Sequence, residues 1–350
     1  MSTNTFQSFL AASRLLGSKS DLVQGGGGNT SFKINEELMA IKASGFLLSE
    51  MTESQAYTMV NYKPVIQLFN DSINENPTKE QEDITSKFVG ECVDKSGNYP
   101  VLRPSMETGF HAVLEKVVYH THSVYSNLVN CAQDCESLLS QIFENTAIRP
   151  IYIPYANPGF GLSQSILKAK NDFIEKNGCV PSVFFLQNHG LVTTGDEVAS
   201  TLALDEQVND ILKKYFDINL PYPRPAVTHK ENKLFESQNA ELAQWLSALH
   251  VSDAAFFEQV LFPDQVVFFS GNIAIRSAPN PDKKINIHSE NFGVTYLVET
   301  LKEAITLEET LLAYLFLRSH ISAPNFIGQT QANYINNMES EAYRRALLKK

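Results

Sequence analysis

The chain has 350 residues, of which 43% are hydrophobic and 19% charged, as expected for a packed globular protein. Its formal charge of −11 at neutral pH argues against a nucleic-acid partner, which would favour a basic surface. No apolar run approaches the roughly 18 residues of a membrane helix, and the N-terminus lacks the features of a signal peptide. The four cysteines form no disulfide framework in a chain this long, so we expect a cytoplasmic protein without a membrane partner.

The first hundred residues predict two strands that follow an N-terminal helix. Residues 4–17 have apolar side chains at helical spacing and end at a glycine, which predicts the helix. Strands are expected at 29–34, after a run of glycines, and at 38–43. Residues 52–100 are weakly patterned, and we predict only a helix at 79–93 there.

The next hundred residues alternate between helices and strands. In chain order the pattern predicts a helix at 107–115 that Ser105 can cap, a strand at 117–122, a helix at 125–142, a strand at 150–154, a helix at 162–175, a strand at 183–188 and a helix at 197–215. This alternation favours a layered α/β domain over an all-helical one.

A proline-rich segment, 220–225, is the best candidate for a domain boundary. It predicts one domain over 1–220 and a second, accessory α/β domain over 225–350. Within the second domain we predict, in chain order, a helix at 236–249, strands at 265–270 and 273–276, and helices at 294–305 and 307–319.

The first chemical signal is a pair of histidines, His120 and His122, at the end of an apolar strand. Residues i and i+2 of a strand point to the same face, so the two imidazoles lie side by side. Such a pair suits a divalent metal ion, although the pattern on its own is weak.

A third histidine, His189, follows another apolar strand and precedes a glycine. Functional groups of open α/β sheets collect where strands end. Three histidines are a known catalytic zinc arrangement with an open fourth position. Taken alone, His189 would more readily be a structural histidine.

Glu107 begins a predicted helix thirteen residues before His120. A helix followed by a returning strand could bring this carboxylate back to the histidine pair. By itself, such a glutamate more commonly complements a helix dipole. His111, one turn further along, is interpreted as a packing residue or a support for the site.

A glycine run, residues 25–28, leads into Asn29. Glycines let backbone N–H groups approach an anion closely, but the segment has neither the P-loop lysine nor the dinucleotide fingerprint. A glycine run alone is more commonly a flexible turn. The residues that could complete an anion cradle are Lys33, Lys42, Ser44 and Gly45.

Together these segments resemble the class II aldolase/adducin family. The matching segments occur in the family's order over about residues 5–215, and they are GGGGNTSFK, KASG, RPSMETGFH, VVYHTHS, IPYANPG and LQNHGLV. The resemblance implies a three-layer α/β/α sandwich and a homotetramer with active sites near subunit interfaces. Residues 225–350 lie outside it and predict a smaller C-terminal α/β extension of unknown role.

The sequence is most similar to longer members, such as the aldolase part of bifunctional rhamnulose-phosphate aldolase/alcohol dehydrogenases. The absence of a dinucleotide fingerprint predicts that no dehydrogenase half is present. The catalytic residue that the family's aldolases take from a neighbouring subunit has no counterpart that we can place here.

The resemblance also implies residue roles. His120, His122 and His189 correspond to the zinc ligands, although Mn²⁺, Co²⁺ or Fe²⁺ suit the same donors. Glu107 corresponds to the catalytic carboxylate, which also contacts the metal. The positions that hold the substrate phosphate correspond to Asn29, Ser44, Gly45 and Ser105, to which we add Lys33.

The function thus expected is a zinc-dependent aldolase that cleaves a ketose 1-phosphate, or a related sugar, reversibly to dihydroxyacetone phosphate and an aldehyde. The metal would act as a Lewis acid and Glu107 would shuttle the proton. A sugar-phosphate epimerase is an alternative, although epimerases tend to carry aspartate where Glu107 stands. A dehydratase on the same metal site is another. A non-enzymatic, adducin-like binding module is the third, although such modules lack the metal ligands present here.

Overall fold

A seven-stranded sheet forms the centre of the first 216 residues in the computed structural model, which describes residues 3–347. In chain order its strands are β1 (Asn29–Lys33), β2 (Leu38–Lys42), β3 (Tyr57–Asn61), β4 (Val117–Thr121), β5 (Ile151–Ile153), β6 (Val183–Leu186) and β7 (Gly190–Gly195). They lie in the order β3-β2-β1-β4-β7-β6-β5. Neighbours are antiparallel except β5 and β6, which are parallel.

Helices cover both faces of this sheet. In chain order they are α1 (Thr3–Gly17), α2 (Tyr62–Asp71), α3 (Lys79–Glu91), α4 (Thr108–Val113), α5 (Val124–Asn130), α6 (Cys135–Phe143), α7 (Phe160–Asn177) and α8 (Val198–Tyr215). Helix α8 contacts both α1 and α5 on one side, and α2, α4 and α7 contact one another on the other. The expected three-layer α/β/α sandwich is therefore confirmed.

The central strands read as apolar runs because both of their faces are buried. In β4, Val117 and Tyr119 belong to one apolar cluster, whereas Val118 belongs to the cluster on the opposite face. None of the three is exposed to solvent. This two-residue alternation places His120 on the same face as Val118, at the end of a strand held on both sides.

The C-terminal region contains a second, five-stranded sheet. Its strands are β8 (Val227–Glu231), β9 (Leu234–Ser237), β10 (Ile273–Arg276), β11 (Ile285–His288) and β12 (Val294–Leu297), in the order β10-β11-β12-β9-β8. The helices of this region are α9 (Ala240–Ala248), α10 (Pro263–Phe269), α11 (Leu301–His320), α12 (Gln329–Asn336) and α13 (Glu339–Leu347). The expected smaller α/β extension is confirmed.

The apolar core continues across the proline-rich segment 220–225. One cluster includes Leu128 and Leu212 from before this segment and Leu311 from after it. Helix α11 packs on α5, where the Phe316 and Tyr125 rings meet edge to face at 6.1 Å. The regions before and after this segment therefore share one apolar core. The domain boundary at 220–225 stays a prediction. Within residues 3–347, no helix is long and apolar enough to cross a membrane.

Two predicted elements in the C-terminal region are wrong. Of the strand predicted at 265–270, residues 265–269 belong to helix α10, which begins with Pro263 and is buried along its whole length. An apolar run buried on all sides has no period that distinguishes a helix from a strand. Residues 294–305 form β12 and then the start of α11, where Thr300 caps the helix by accepting the Glu303 N–H.

The first region also differs in detail from the prediction. The single helix expected at 125–142 is two helices, because residues 131–134 interrupt it. Strand β3 and helix α2 lie in the weakly patterned stretch after residue 52 and were not predicted. Strand β7 was also missed, because it follows β6 after a turn of only three residues.

Candidate metal centre

Three buried histidines meet at the ends of β4 and β6. His120 is next to last in β4, His122 follows that strand, and His189 lies in the turn between β6 and β7. Strand β7 pairs with both β4 and β6, so this turn lies against the end of β4. The ring centroids are separated by 4.9, 5.0 and 5.1 Å, and the candidate ligand nitrogens lie within 4.8 Å of one another.

The Glu107 carboxylate joins this cluster from the residue before α4. Its Oε2 lies 3.5 Å from His120 Nε2, and its Oε1 lies 3.4 Å from His189 Nε2. The side-chain amide of Asn29 donates a 2.7 Å hydrogen bond to Oε2. Asn29 is near because it pairs directly with His120 across β1 and β4. The structure thus brings these four predicted site residues and Asn29 together.

Burial and neighbouring charge set the protonation of the cluster. Burial lowers the pKa of His120 to about 4 and the pKa of His189 to about 3, so both imidazoles are neutral at pH 7. Burial raises the pKa of Glu107, but His120, His189 and the Asn29 amide outweigh it and lower this pKa to about 2. The Glu107 carboxylate beside the two neutral imidazoles of His120 and His189 is a donor set for a divalent cation.

Two polar atoms of the cluster indicate whether a divalent cation fits between these side chains. His120 Nδ1 donates a 3.0 Å hydrogen bond to the Leu191 carbonyl oxygen, so Nε2 carries the lone pair. His120 Nε2 and Glu107 Oε1 are buried and have no hydrogen-bond partner anywhere in the described chain. A buried polar atom left unpaired costs about 1–3 kcal/mol. A cation bound between these atoms would remove that cost, so the residues present fit a metal ion.

His111 supports the cluster through Asn29. One ring nitrogen, Nε2, contacts Asn29 Oδ1, and the other, Nδ1, lies 2.8 Å from Ser31 Oγ. The Asn29 NH₂ group faces Glu107, so its oxygen accepts from His111 and Ser31 donates to Nδ1. Burial lowers the pKa of His111 well below its ordinary value, which keeps the ring neutral. His111 therefore fixes the orientation of the amide that holds Glu107.

Three of the predicted phosphate positions, Ser44, Gly45 and Ser105, lie on two adjacent segments, whereas the fourth, Asn29, lies at the histidine cluster. Ser44 N donates to the Arg103 carbonyl oxygen at 2.9 Å, and Ser105 N donates to the Lys42 carbonyl oxygen at 3.2 Å. Residues 42–45 and 103–105 therefore run side by side. Ser44 thus lies beside Arg103 and Ser105 beside Lys42, although about sixty residues separate the two segments in the sequence.

Lys33 is not brought to this site. It lies at the far end of β1 from Asn29, and strand geometry puts roughly 13 Å between residues four apart. Its ammonium group donates to the Leu114 carbonyl oxygen and lies 4.8 Å from the centre of the Tyr62 ring. Burial lowers the pKa of Lys33 to about 8. The position of Lys33 therefore does not support the predicted contact with a ligand at the cluster. Its contacts with Leu114 and Tyr62 indicate a structural role instead.

The glycine run packs against the cluster and does not form an open cradle. Gly25 N donates to the Glu309 carboxylate at 2.8 Å, Gly27 N to the Gln24 carbonyl oxygen at 2.8 Å, and Gly28 N to His122 Nε2 at 3.3 Å. Gly28 has φ +63°, and a Cβ there would lie 2.7 Å from the carbonyl oxygen of His120. Glycine is required at 28 so that the loop can approach β4 this closely.

Three hydrogen bonds that join the C-terminal region to this site were not predicted. The Asp264 carboxylate, which is fully buried, accepts a hydrogen bond from His122 Nδ1. The amide of Asn188, next to His189, donates to the carbonyl oxygens of Leu261 and Asn325 at 2.9 and 2.8 Å. No local pattern points to Asp264, because it lies 142 residues from its partner.

A cavity of about 890 Å³ opens beside the segment before Glu107. Ser105 and Met106 line one side, and residues of α3 and α12 line the others. Glu82 projects into it, accepts the Phe160 N–H at 2.6 Å and has its pKa raised by burial to about 7. Glu82 was missed because it lies inside a predicted helix with no motif around it. The volume suits a small ligand.

A three-layer α/β/α sandwich with a buried cluster of three histidines and a glutamate at its strand ends defines a protein with a candidate metal site. The chain belongs to the class II aldolase/adducin family, since the family model for the class II aldolase and adducin N-terminal domain matches residues 7–216.

Two known proteins are similar in sequence to parts of this chain. An uncharacterized oxidoreductase, YuxG, from Bacillus subtilis is 32% identical over 197 residues, which are 53% of this chain and 25% of that protein. The match thus spans only a quarter of that relative's length. An L-fuculose phosphate aldolase from Methanococcus maripaludis is 25% identical over 133 residues, which are 36% of this chain and 69% of that protein.

Among solved structures, the N-terminal class II aldolase domain of a conserved protein from Thermoplasma acidophilum is 25% identical to this chain. The likeness covers 61% of this chain and 94% of that one, with a TM-score of 0.48.

Proposed function

We propose that the protein is a metal-dependent aldolase that cleaves a ketose 1-phosphate, or a related sugar, reversibly to dihydroxyacetone phosphate and an aldehyde. The observation that carries this proposal is the position of the Glu107 carboxylate, within 3.5 Å of both His120 Nε2 and His189 Nε2. A charged carboxylate beside three candidate metal ligands can act as an acid/base on a substrate bound to the metal.

His120, His122 and His189 would hold the metal, for which we propose zinc, with Glu107 as an additional contact. When bound, a divalent cation supplies Lewis-acid polarisation of the substrate's carbonyl and hydroxyl oxygens. Three imidazole ligands leave a position open for those oxygens.

Glu107 would shuttle the proton. In the cleavage direction it accepts the proton of the hydroxyl group beyond the scissile C–C bond, so that this carbon becomes the aldehyde. The electron pair of the broken bond stays on the phosphorylated fragment, and Glu107 returns the proton to that fragment's carbon. Asn29 holds the carboxylate in place through the 2.7 Å hydrogen bond, and His111 holds Asn29.

The substrate phosphate would lie against the adjacent segments 42–45 and 103–105. Ser44 and Ser105 contribute hydroxyl groups there, and Gly45 leaves the backbone accessible. The cavity beside Ser105 offers room for the rest of the sugar. Its wall contains three basic residues and three acidic ones, which are Lys79, Lys87, Arg103, Glu82, Asp83 and Glu339, so the cavity wall by itself does not select an anionic ligand. The aldolase name of the Methanococcus maripaludis relative supports the same substrate class.

The test is release of dihydroxyacetone phosphate from a panel of ketose 1-phosphates, followed with a coupled reduction that consumes NADH. The zinc-loaded full chain should release it from at least one sugar, and a chelator should abolish the release. Zinc-loaded protein that releases none, and that fails to condense dihydroxyacetone phosphate with any aldehyde of the panel, would overturn the aldolase. Analysis of the same mixtures for epimerised or dehydrated sugar would then show which related reaction replaces it.

Further properties expected from the sequence stay predictions. These are the homotetramer, the cytoplasmic location and a small sugar phosphate as the binding partner, with neither nucleic acid nor membrane. The acidic composition, with a net charge of −11, supports the last of these.

A further inference from the structure

The region that follows the family domain reaches into the metal centre. The family match ends at residue 216, yet the nearest carboxylate to His122 is that of Asp264, in the first turn of α10. We propose that Asp264 is a positioning residue of the metal centre: its carboxylate holds the His122 imidazole with Nδ1 protonated and Nε2 available to the cation. This inference rests on the metal site of the proposed function.

The hydrogen bonds of His122 agree on its tautomer. A carboxylate can only accept, so the contact between Asp264 and Nδ1 places the proton on Nδ1. Nε2 in turn accepts the Gly28 N–H at 3.3 Å, which requires a lone pair there, and a cation bound at Nε2 would replace this long hydrogen bond. Ligand histidines commonly donate their second nitrogen to a carboxylate or carbonyl group, and this fixes the ring and raises its basicity.

The three histidines are not anchored alike. His120 lies inside a strand, and its Nδ1 donates to Leu191, a residue of the family domain. His122 lies one residue beyond the end of β4, where no strand pairing fixes it. Its ring is therefore oriented by Asp264, which is 0% exposed.

The pair is enclosed by the glycine run. A Cβ built on Gly27 would lie 2.5 Å from His122 Nδ1 and 2.9 Å from Asp264 Oδ2. The loop thus closes directly over the hydrogen bond between them and leaves no space for a larger side chain. Burying a carboxylate is unfavourable unless it is paired, so this enclosure makes the contact with His122 necessary to Asp264 as well.

The same region also holds the backbone next to His189. Asn188 has φ +53°, in the left-handed region that few side chains favour. Its amide donates to the carbonyl oxygens of Leu261 and Asn325, both beyond the family match. Residues 261–264 therefore support two of the three histidines, and the C-terminal region is part of the metal centre.

The test is zinc affinity of the full chain, measured by competition with a chromophoric chelator, for wild type, Asp264→Asn and Asp264→Ala. The alanine variant should bind zinc about 10–100-fold more weakly. The asparagine variant should be intermediate, because its side-chain oxygen still accepts from Nδ1 but carries no charge. The visible absorption of bound Co²⁺ should change in the same order, since it reports the ligand field.

Glu308→Gln is the matched control. Glu308 is another fully buried carboxylate of the C-terminal region, and it accepts from Ala226 N at 2.7 Å and from the Tyr296 hydroxyl at 3.1 Å. Its loss should lower stability and leave zinc affinity unchanged. If Asp264→Ala does not fold, the zinc affinity of the nearly isosteric Asp264→Asn variant is sufficient to test the positioning role.

The outcomes separate the two proposals. Wild-type affinity in the folded Asp264 variants would overturn the positioning role and leave the proposed function standing. A wild-type chain that binds no zinc would overturn both. A loss in Glu308→Gln as large as in Asp264→Ala would also overturn the positioning role, because general destabilisation would then explain it.

Discussion

The Asn29 amide donates a 2.7 Å hydrogen bond to the Glu107 carboxylate, and the two residues are 78 positions apart in the sequence. The register of β1 on β4 determines the position of Asn29, and the turn into α4 determines that of Glu107. Two elements far apart along the chain therefore fix the acid/base relative to the histidines. This relationship explains why the segments around both residues contribute to one site.

Replacing Asn29 by alanine should loosen that carboxylate and leave His111 Nε2 without the Asn29 oxygen to which it donates. A buried group left unpaired costs about 1–3 kcal/mol, so the free energy of unfolding should fall by that amount. The pKa of Glu107 should rise, because a hydrogen bond that stabilises its charged form is lost. Urea unfolding and the acid limb of the rate profile measure the two effects. Unchanged values for both would contradict this role for Asn29.

Replacing Glu107 by glutamine should separate metal binding from catalysis. The three histidines remain, so zinc should still bind, but proton transfer is lost and turnover should fall by about 10²–10⁴-fold. The measurement is the release of dihydroxyacetone phosphate by the zinc-loaded variant beside wild type. Glu80→Gln, on the exposed side of α3, is the control and should retain full activity. Near-normal turnover in Glu107→Gln would remove Glu107 from the chemistry.

Two glycine substitutions should have opposite effects. Gly27→Ala forces a methyl group against His122 and Asp264, so zinc affinity should fall and overpacking should destabilise the chain by about 1–3 kcal/mol. Gly90→Ala, in α3, meets no atom within 4 Å and should stabilise by up to about 1 kcal/mol. Thermal unfolding and chelator competition test both. Equal behaviour of the two variants would show that Gly27 is not enclosed as described.

Asp205 should make stability depend on pH. Burial raises its pKa from 3.8 to about 7, although Thr193 and Asn209 donate hydrogen bonds to it. Between these values the folded state keeps a proton that the unfolded state has released, so stability falls as pH rises and levels off above pH 7. Between pH 5 and 8 this one group would remove at most about 3 kcal/mol.

The Asp205→Asn substitution should remove the loss of stability that Asp205 causes between pH 5 and 8. The free energy of unfolding, measured in chelator at pH 5 and pH 8, should therefore favour the variant over wild type more at pH 8 than at pH 5. The chelator keeps metal binding from adding its own pH dependence. Parallel pH profiles for the two proteins would show that Asp205 is not protonated in the folded state near neutral pH.

The alternation of helices and strands predicted a layered α/β domain, and the family resemblance implied the three-layer sandwich and the set of three histidines. Local signals supported that set. His120 and His122 share a strand face, and His189 follows a second apolar strand, so both signals lie within a few residues. The direct pairing of Asn29 with His120 could not be predicted, because it depends on the order of strands in the sheet.

The contribution of the C-terminal region could not be predicted either. Asp264 lies in a run that is buried on all sides, so its helix was taken for a strand, and its partner is 142 residues away. Lys33 was placed at the site as a cation that could complete an anion cradle, but a strand carries residues four apart to opposite ends. Whether a residue lies at the site therefore depends on long-range pairing and strand direction, which residue type alone does not reveal.

The most direct test of the metal centre is the metal content of purified protein, measured by mass spectrometry after loading with zinc. Wild type should hold about one zinc ion per chain, and His189→Ala should hold much less. His229→Ala, which removes an exposed histidine of β8, should match wild type. Wild type without zinc, or His189→Ala with as much zinc as wild type, would contradict the account.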